Sequence, residues 1–529
     1  MKRIYNNTKN ILKNNHSFLA VLILALAAGS SSCSDSLDVV PIGKLMSGNF
    51  PVTNEDAVAI VNGVYQPNVS ISTSLGYMID LTSELEQNGE NPNSGGGLLG
   101  VLSIEPTNSY NESTYTALFR GISRANDAID KITASTTISP TIKQRTIGEA
   151  QFLRAYYYQY AVQFWGDVPL VLHNVDGTNT TRASVDEVFT QIVQDLQDAA
   201  SNLPSVKEYS SVDKGRATKG AALAFLSKVY LVWGQLSDTS GDTAKKDKFR
   251  KSVEAANQVT DYQLEEEYLN NWSNSNRNGK ENIFATQHAQ NQADDGSGGN
   301  HLVHCSFSSG FSQSLPHVAP SSSKFYEEFD NDDQRKEGTY VKVLYNPATG
   351  EDYTFDLPRY RKYIDITDAS RSASNRNIDR TVIRYAEVLL IKAEALNELN
   401  NAPNAEAYDA INQVRRRAFK HFPVTAGPTA HDITPGLNYE DFKKALQQER
   451  VFELTYEQTR RLDLVRWRIY VKTLKESGIP AKQSVELKHY RFPIPQTQRE
   501  INPDGLWQNW GYDGYDPAKT GQNPYAGFE

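Results

Sequence analysis

Glu449, Glu453, Glu457, Arg460, Arg461, Asp463 and Arg466 crowd one short stretch of the chain. Two carboxylates about 5–10 Å apart across a cleft could act as general acid and base in glycoside hydrolysis. Here the carboxylates are interleaved with arginines that would neutralise them, so the pattern points to an ion network joining helices. Glu457 and Arg461 fall one helical turn apart in the favourable order, a pair worth about 0.2–0.5 kcal/mol on an exposed helix. Arg415-Arg416-Arg417 could meet a polyanion, but on a helix it reads as a solvated face with one arginine turned inward. His301-Leu302-Val303-His304-Cys305, with His317 downstream, offers imidazole and thiolate, the ligand types that suit zinc. Its spacing matches no familiar zinc site, so a polar loop with a buried thiol is the preferred reading. Gly95-Gly96-Gly97 lacks the Lys-Ser/Thr of a phosphate cradle, and neither a Gly-x-Ser-x-Gly elbow nor a His-Glu-x-x-His motif occurs. The sequence offers no catalytic constellation, and a non-enzyme without a cofactor is expected.

The elements that must position these groups read mostly as helices. From Glu149 to Trp165 the chain sets Phe152, Ala155, Tyr156, Gln159 and Val162 at three- and four-residue steps. The helix should stop at Gly166-Asp167-Val168-Pro169, where Gly accepts a left-handed cap and Pro forbids continuation. Ala57 to Tyr65 and the series Leu118, Ile122, Ala125, Ile129, Ile132 predict two earlier helices. Ser184 and Glu187 form a capping box before Val188, Ile192, Leu196, Ala199 and Leu203. The partner of that helix should run from Thr218 to Trp233, and Phe249, Val253, Ala256 and Val259 continue the series. Phe152-Leu153 with Tyr157 recurs as Phe225-Leu226 with Tyr230, a faint internal echo. Helix pairs with Ala and large aromatics at their contacts read as degenerate tetratricopeptide-like repeats. Helical pairing resumes over 382–395, 408–418, 449–454 and 461–467.

Two stretches break the pattern. Residues 261–380 are rich in Asn, Ser, Gly and Asp, with strand-like pieces at Ile283–Thr286 and Thr339–Tyr345. Residues 75–115 form a second loop-rich region. Long loop-rich insertions in a helical scaffold are commonly functional.

The N-terminus carries Lys2, Arg3, Lys9 and Lys13 before its first acid, Asp35, then an apolar run from Phe18 to Gly29 and Ser30-Ser31-Ser32-Cys33. That run is shorter than the roughly 20 residues a bilayer span needs. The order of basic, apolar and small residues is that of a signal peptide over 1–32, with Cys33 as the lipidated first residue of the mature chain. Acyl chains on one residue anchor stably because each buried methylene contributes about 0.8 kcal/mol. Removing four cations takes the net charge from −9 to −9 − 4 = −13, which argues against nucleic acid as the partner. Only Cys305 remains beside Cys33, so no intrachain disulfide is expected if Cys33 is acylated.

The block Glu149–Val171 closely resembles the signature of the SusD/RagB family, surface lipoproteins that capture nutrients for outer-membrane importers. Further blocks match in the same order: Ile411–Ala418, Glu449–Leu454, Arg461–Trp467, Tyr490-Arg491-Phe492-Pro493-Ile494-Pro495, Ile501-Asn502-Pro503 and Trp507-Gln508-Asn509. Together they span nearly the whole mature chain. The resemblance implies that regions 75–115 and 261–380 face one another on the outer side of the scaffold and form a ligand site. Sugar rings stack on aromatic side chains while their hydroxyls pair with amides and carboxylates. By that reasoning Tyr77, standing near the family's aromatic platform, with Asp80, Asn91 and Asn93, and Phe307 and Phe311 across the site, are the ligand-binding candidates. Trp272 is read as scaffold core. Calcium occurs in some members, but no calcium-ligand loop is recognisable here.

The expectation is an all-α scaffold of degenerate tetratricopeptide-like helix pairs bearing a loop-rich, minor-β ligand region. Its stretches are 1–32, 33–260, 261–380 and 381–529. By resemblance the protein sits lipid-anchored on the outer membrane, facing the exterior. There it would capture a glycan and deliver it to a TonB-dependent SusC-like transporter. A RagB-like peptide-capture lipoprotein, a surface glycosidase and a tetratricopeptide adaptor are the alternatives.

Overall fold

The computed structural model describes residues 50–88, 93–174, 180–237, 241–288, 318–322, 324–346, 350–363 and 378–528. Helices dominate them. α1 (Asn54–Tyr65) opens on a capping box in which Thr53 and Asp56 satisfy each other's backbone N–H groups. α2 (Pro67–Ile79) starts with proline in its first turn, where a missing N–H costs nothing. α3 (Ser109–Ala134) is capped by Asn108, and α4 (Pro140–Trp165) again begins on proline. α5 (Val185–Asn202) forms the expected Ser184–Glu187 box, and Thr218 caps α6 (Lys219–Leu236). α7 (Asp242–Asn257) precedes the insertion, after which come α8 (Tyr385–Asn400), α9 (Ala405–Ala418), α10 (Tyr439–Leu454) and α11 (Arg460–Arg466).

These helices stack as a continuous array. α3 lies on α4, α4 on α5, α5 on α6 and α6 on α7. α7 then packs on α8, although the whole insertion separates them in sequence, and α8 carries α9 and α10. The tetratricopeptide-like pairing thus passes straight across the interruption. What makes this possible is an antiparallel ladder at the insertion's root, where β2 (Asn282–Thr286) pairs with β6 (Arg380–Arg384). Val382 to Arg384, read from sequence as helix, therefore belong to a strand, and the helix begins at Tyr385. Between them lie β3 (Val318–Pro320) and a hairpin of β4 (Tyr340–Asn346) and β5 (Glu351–Tyr360). β1 (Glu86–Asn88) comes from the first loop region.

α4 is buried on every side over its C-terminal half, which explains its aromatic content. The Phe152 ring meets Phe225 of α6 at 5.2 Å and Phe284 of β2 at 4.8 Å, both edge to face. The sequence echo between Phe152 and Phe225 is therefore a direct contact. Gly166 ends the helix at φ +73°, a conformation that L side chains rarely adopt.

Pro51–Glu529 form one compact unit. Its main core draws on Ala57 through Tyr262, on Ile283 and Phe284, and on Leu462 through Tyr525. A second core joins α7 to α8, α9 and α10, and a third, built from Tyr268, Trp272, Phe329, Tyr340, Tyr360, Tyr363, Ile378 and Tyr456, lies within and beneath the insertion. No helix among the described residues is long and apolar enough to cross a membrane.

Candidate functional site

The two loop-rich regions meet in a short ladder. β1 pairs antiparallel with β3, setting Glu86 opposite Pro320 and Asn88 opposite Val318. Next to the ladder the Ser321 N–H donates to the Leu85 carbonyl at 2.9 Å, and the Tyr360 hydroxyl donates to the same oxygen at 3.2 Å. The loop behind β1 is held from below by Lys482, whose ammonium donates to the carbonyls of Leu81 (2.5 Å) and Gly100 (3.0 Å). Arg460 of α11 pairs with Glu84 at 2.6 Å. Burial lowers the Lys482 ammonium to about 7, while burial together with nearby Asp80 pushes the Glu86 carboxyl up.

Two residues predicted to contact ligand lie elsewhere. Tyr77 belongs to α2 and is 2 % exposed, with its ring stacked on Tyr110 at 4.1 Å. It is not an open platform. The helix continues four residues beyond Leu75, where the sequence read as loop, and turns this ring inward. Tyr110, half-buried at the start of α3, is the more accessible ring of the pair. Asp80 is likewise corrected: it is 4 % exposed and accepts the backbone N–H of Gln458. Burial pushes its carboxyl up to about 8. Asn93 is exposed. Asn91, Phe307 and Phe311 lie outside the described residues, as do Cys33, Cys305, His301, His304 and His317.

Trp272 is buried against Tyr268 (4.9 Å) and Tyr363 (6.0 Å), with the Lys362 ammonium 4.8 Å from its ring centre. The β4–β5 hairpin adds side chains that sequence reasoning did not single out. Val343 is 49 % and Tyr345 56 % exposed, on one face, opposite Thr354 and Asp352. The sequence marks a strand-like piece at Thr339–Tyr345, and the two-residue spacing of Val343 and Tyr345 within it held the missed signal.

The acidic cluster is an ion network. Glu453 accepts from Arg335 at 3.0 Å and from Arg384 and Arg417. Glu449 meets Arg335 at 2.6 Å and Arg415 at 2.8 Å, and Glu457 meets Arg384 and Lys362, each at 2.8 Å. Glu281 meets Arg384 of β6 and Arg417 of α9, tying the insertion's root to the second half of the helical array. The surrounding arginines overcome the burial penalty and hold the Glu453 carboxyl well below the usual range.

The expected Glu457–Arg461 pair does not form. Glu457 lies in the break between α10 and α11, flanked by positive φ at Tyr456 and Gln458, and Arg461 instead bonds the Tyr470 hydroxyl and the His489 carbonyl. All three residues of the Arg415–Arg417 run are engaged with acids, so that face is not the solvated one expected. Glu449, Glu453 and Glu457 are buried and face cations, the reverse of a carboxylate pair poised across an open cleft. Among the described residues no group of three His, Cys, Asp or Glu side chains could hold a metal ion.

Comparison with known proteins adds to this geometry. Residues 237–512 match the family model described as the SusD family. Residues 83–231 match a second, described as starch-binding associating with outer membrane. SusD-like protein P25 of Formosa agariphila is 27 % identical over 547 residues, covering 92 % of this chain and 97 % of its own. Starch-binding protein SusD of Bacteroides thetaiotaomicron is 24 % identical over 45 % of this chain and 44 % of its own. Among solved structures, a SusD homolog from Bacteroides thetaiotaomicron superposes with a TM-score of 0.72 at 25 % identity, covering 87 % of this chain and 97 % of that one.

Proposed function

This chain belongs to the SusD family, and from that premise we propose that it is a cell-surface lipoprotein that captures a glycan and delivers it to a TonB-dependent SusC-like transporter. The observation that carries the reading is the β1–β3 ladder, which joins the two loop-rich regions above a rigid helical array. A binder needs such a scaffold under variable loops, because binding groups sit on loops positioned by rigid elements. The acids that could have done hydrolysis are committed to arginines, which favours capture over cleavage. The second matching family is described as starch-binding and the Bacteroides thetaiotaomicron relative is a starch-binding protein, which supports a carbohydrate as cargo.

In this reading Asn93 and Tyr110 flank one side of the site, and Asn91, Phe307 and Phe311 contribute from neighbouring loop sequence. Cys33 carries the lipid anchor on the outer leaflet, and the repeat face meets the transporter, as stacked helix pairs present extended protein-binding surfaces. The energy for import comes from the transporter. The test is affinity gel electrophoresis of the soluble chain beginning at Ser34 through gels containing plant, host and microbial polysaccharides. Retardation by one of them, weakened in Tyr110→Ala and Phe311→Ala, is the expected result. Retardation by none, with binding of short peptides detected by calorimetry, would replace glycan with peptide as the cargo.

A further inference from the structure

Three of the chain's six tryptophans, Trp165, Trp507 and Trp510, line one cleft at the end of α4. Its volume is about 310 Å³. Ligand pockets run from about 300 to 1,000 Å³, so this one suits a small ligand or the end of a longer one. None of its lining residues belongs to β1, β3 or the loop between α2 and α3. Trp165 is fully buried and forms part of the floor, while Trp507 and Trp510 are only half-buried. The Trp510 ring stands 6.0 Å from Tyr525, which in turn lies 5.7 Å from Phe528. Rings left partly open beside a cleft offer flat apolar faces and, in each indole, a polar edge.

The polar side of the cleft is rigidly built. Arg182 is buried and donates from Nε to the Asp167 carbonyl at 2.7 Å. Its terminal nitrogens donate to the Trp507 and Trp165 carbonyls (2.6 and 3.1 Å) and to Asn509 Oδ1 (2.6 Å). Its guanidinium also lies 5.2 Å from the Trp507 ring. One side chain thus fixes the backbone behind both walls of the cleft. Asp167 Oδ1 accepts the Val185 N–H at 3.0 Å, which fixes that carboxylate, and Lys519 and Thr520 also line the cleft. Arg182 is committed to the protein and holds the walls, while flat aromatic faces beside the Asp167 carboxylate and the exposed Lys519 match the two surfaces of a sugar ring, its C–H face and its hydroxyl edge. Preorganisation of that kind lowers the cost of ordering a ligand.

We infer that this C-terminal cleft is a second saccharide site, separate from the joined loops and taking one or two pyranose rings against Trp507 and Trp510. The inference rests on the glycan reading and gives the protein a second foothold on the same cargo. Two linked sites on one polymer raise avidity without new contacts at either.

The test titrates the soluble chain beginning at Ser34 with maltose, laminaribiose, cellobiose and digalacturonate in turn, following tryptophan emission. One disaccharide is expected to give a saturable shift that weakens at least tenfold in Trp510→Ala and persists in Tyr110→Ala. Hydrogen exchange on the unmutated chain supplies a readout that needs no variant: the same disaccharide should protect the backbone over 505–525. No saturable shift with any disaccharide, or a shift without protection there, overturns the cleft. Polysaccharide retardation that survives Trp510→Ala with no cleft signal leaves the loop reading standing and removes only the second site. A cleft signal without retardation by any polymer supports the second site and removes polymer capture.

Discussion

Buried ionisable residues in this protein fall into two kinds, and neighbours decide which. Glu453 is surrounded by Arg335, Arg384 and Arg417 and stays charged. Asp80 is equally buried, and there burial outweighs Arg380 and Lys362, with Glu457 opposing them, so its carboxyl rises to about 8. Between the ordinary value near 3.8 and about 8 the folded chain holds a proton that the unfolded chain has released. Stability from this group is therefore fully present below pH 4 and is lost as pH rises towards 8. Glu86 acts with the same sign. Lys482 acts oppositely: lowered to about 7 from 10.5, it restores stability as pH climbs from 7 towards 10.5. Asp80→Asn keeps an acceptor for the Gln458 N–H and removes one titration. Urea unfolding between pH 5 and 7 should show stability changing with pH by about 1.4 kcal/mol per unit less steeply downward in the variant than in the unmutated chain. An unchanged slope would mean that Asp80 ionises normally in the fold. None of this was legible in sequence, where Asp80 after Tyr77 resembled a ligand-facing acid. The difference lies in where α2 stops, and helix ends are the least readable part of a helix.

Elements were more legible because the aromatic helix faces repeat at helical spacing. α4 follows directly from that spacing, α5 from its Ser184 capping box, and β2 and β4 from strand-like runs, whereas the start of α8 was obscured because Val382 and Ile383 suit a buried strand as well as a helix. What spacing could not give is how closely the helices approach. Gly121 in α3 faces Tyr157 of α4 so tightly that a β-carbon there would lie 2.4 Å from the ring. The ring cannot easily withdraw, because its hydroxyl donates to the Val64 carbonyl of α1 at 2.6 Å. Gly63 in α1 has nothing within 4 Å of the same added atom. Alanine favours a helix interior over glycine by about 1 kcal/mol, while overpacking costs about 1–3 kcal/mol. Two identical substitutions should then have opposite signs. Gly63→Ala should raise the midpoint of thermal unfolding slightly, and Gly121→Ala should lower it despite the better propensity. A rise in both would show that α3 and α4 can separate without loss.

At the scale of the whole molecule, the last forty residues matter more than their loop-rich sequence suggests. Phe492 donates its backbone N–H to the Phe164 carbonyl at 2.8 Å and sets its ring edge-on to Phe164 at 5.5 Å. The Pro493 carbonyl accepts from Asn111, whose own oxygen receives the Trp165 indole N–H at 3.0 Å. Asn509 closes the same end by donating to the Trp165 carbonyl at 3.0 Å. The chain's tail thus satisfies polar groups at the buried ends of α3 and α4, and without it those groups would be stranded, each at a cost of about 1–3 kcal/mol. The repeats before the insertion are consequently not a self-sufficient half, although their sequence periodicity alone would suggest one. A chain ending at Ser484 should lose its cooperative thermal transition and most of its near-ultraviolet circular dichroism, while the full mature chain melts in a single step. A sharp transition in the shortened chain would make the tail an accessory.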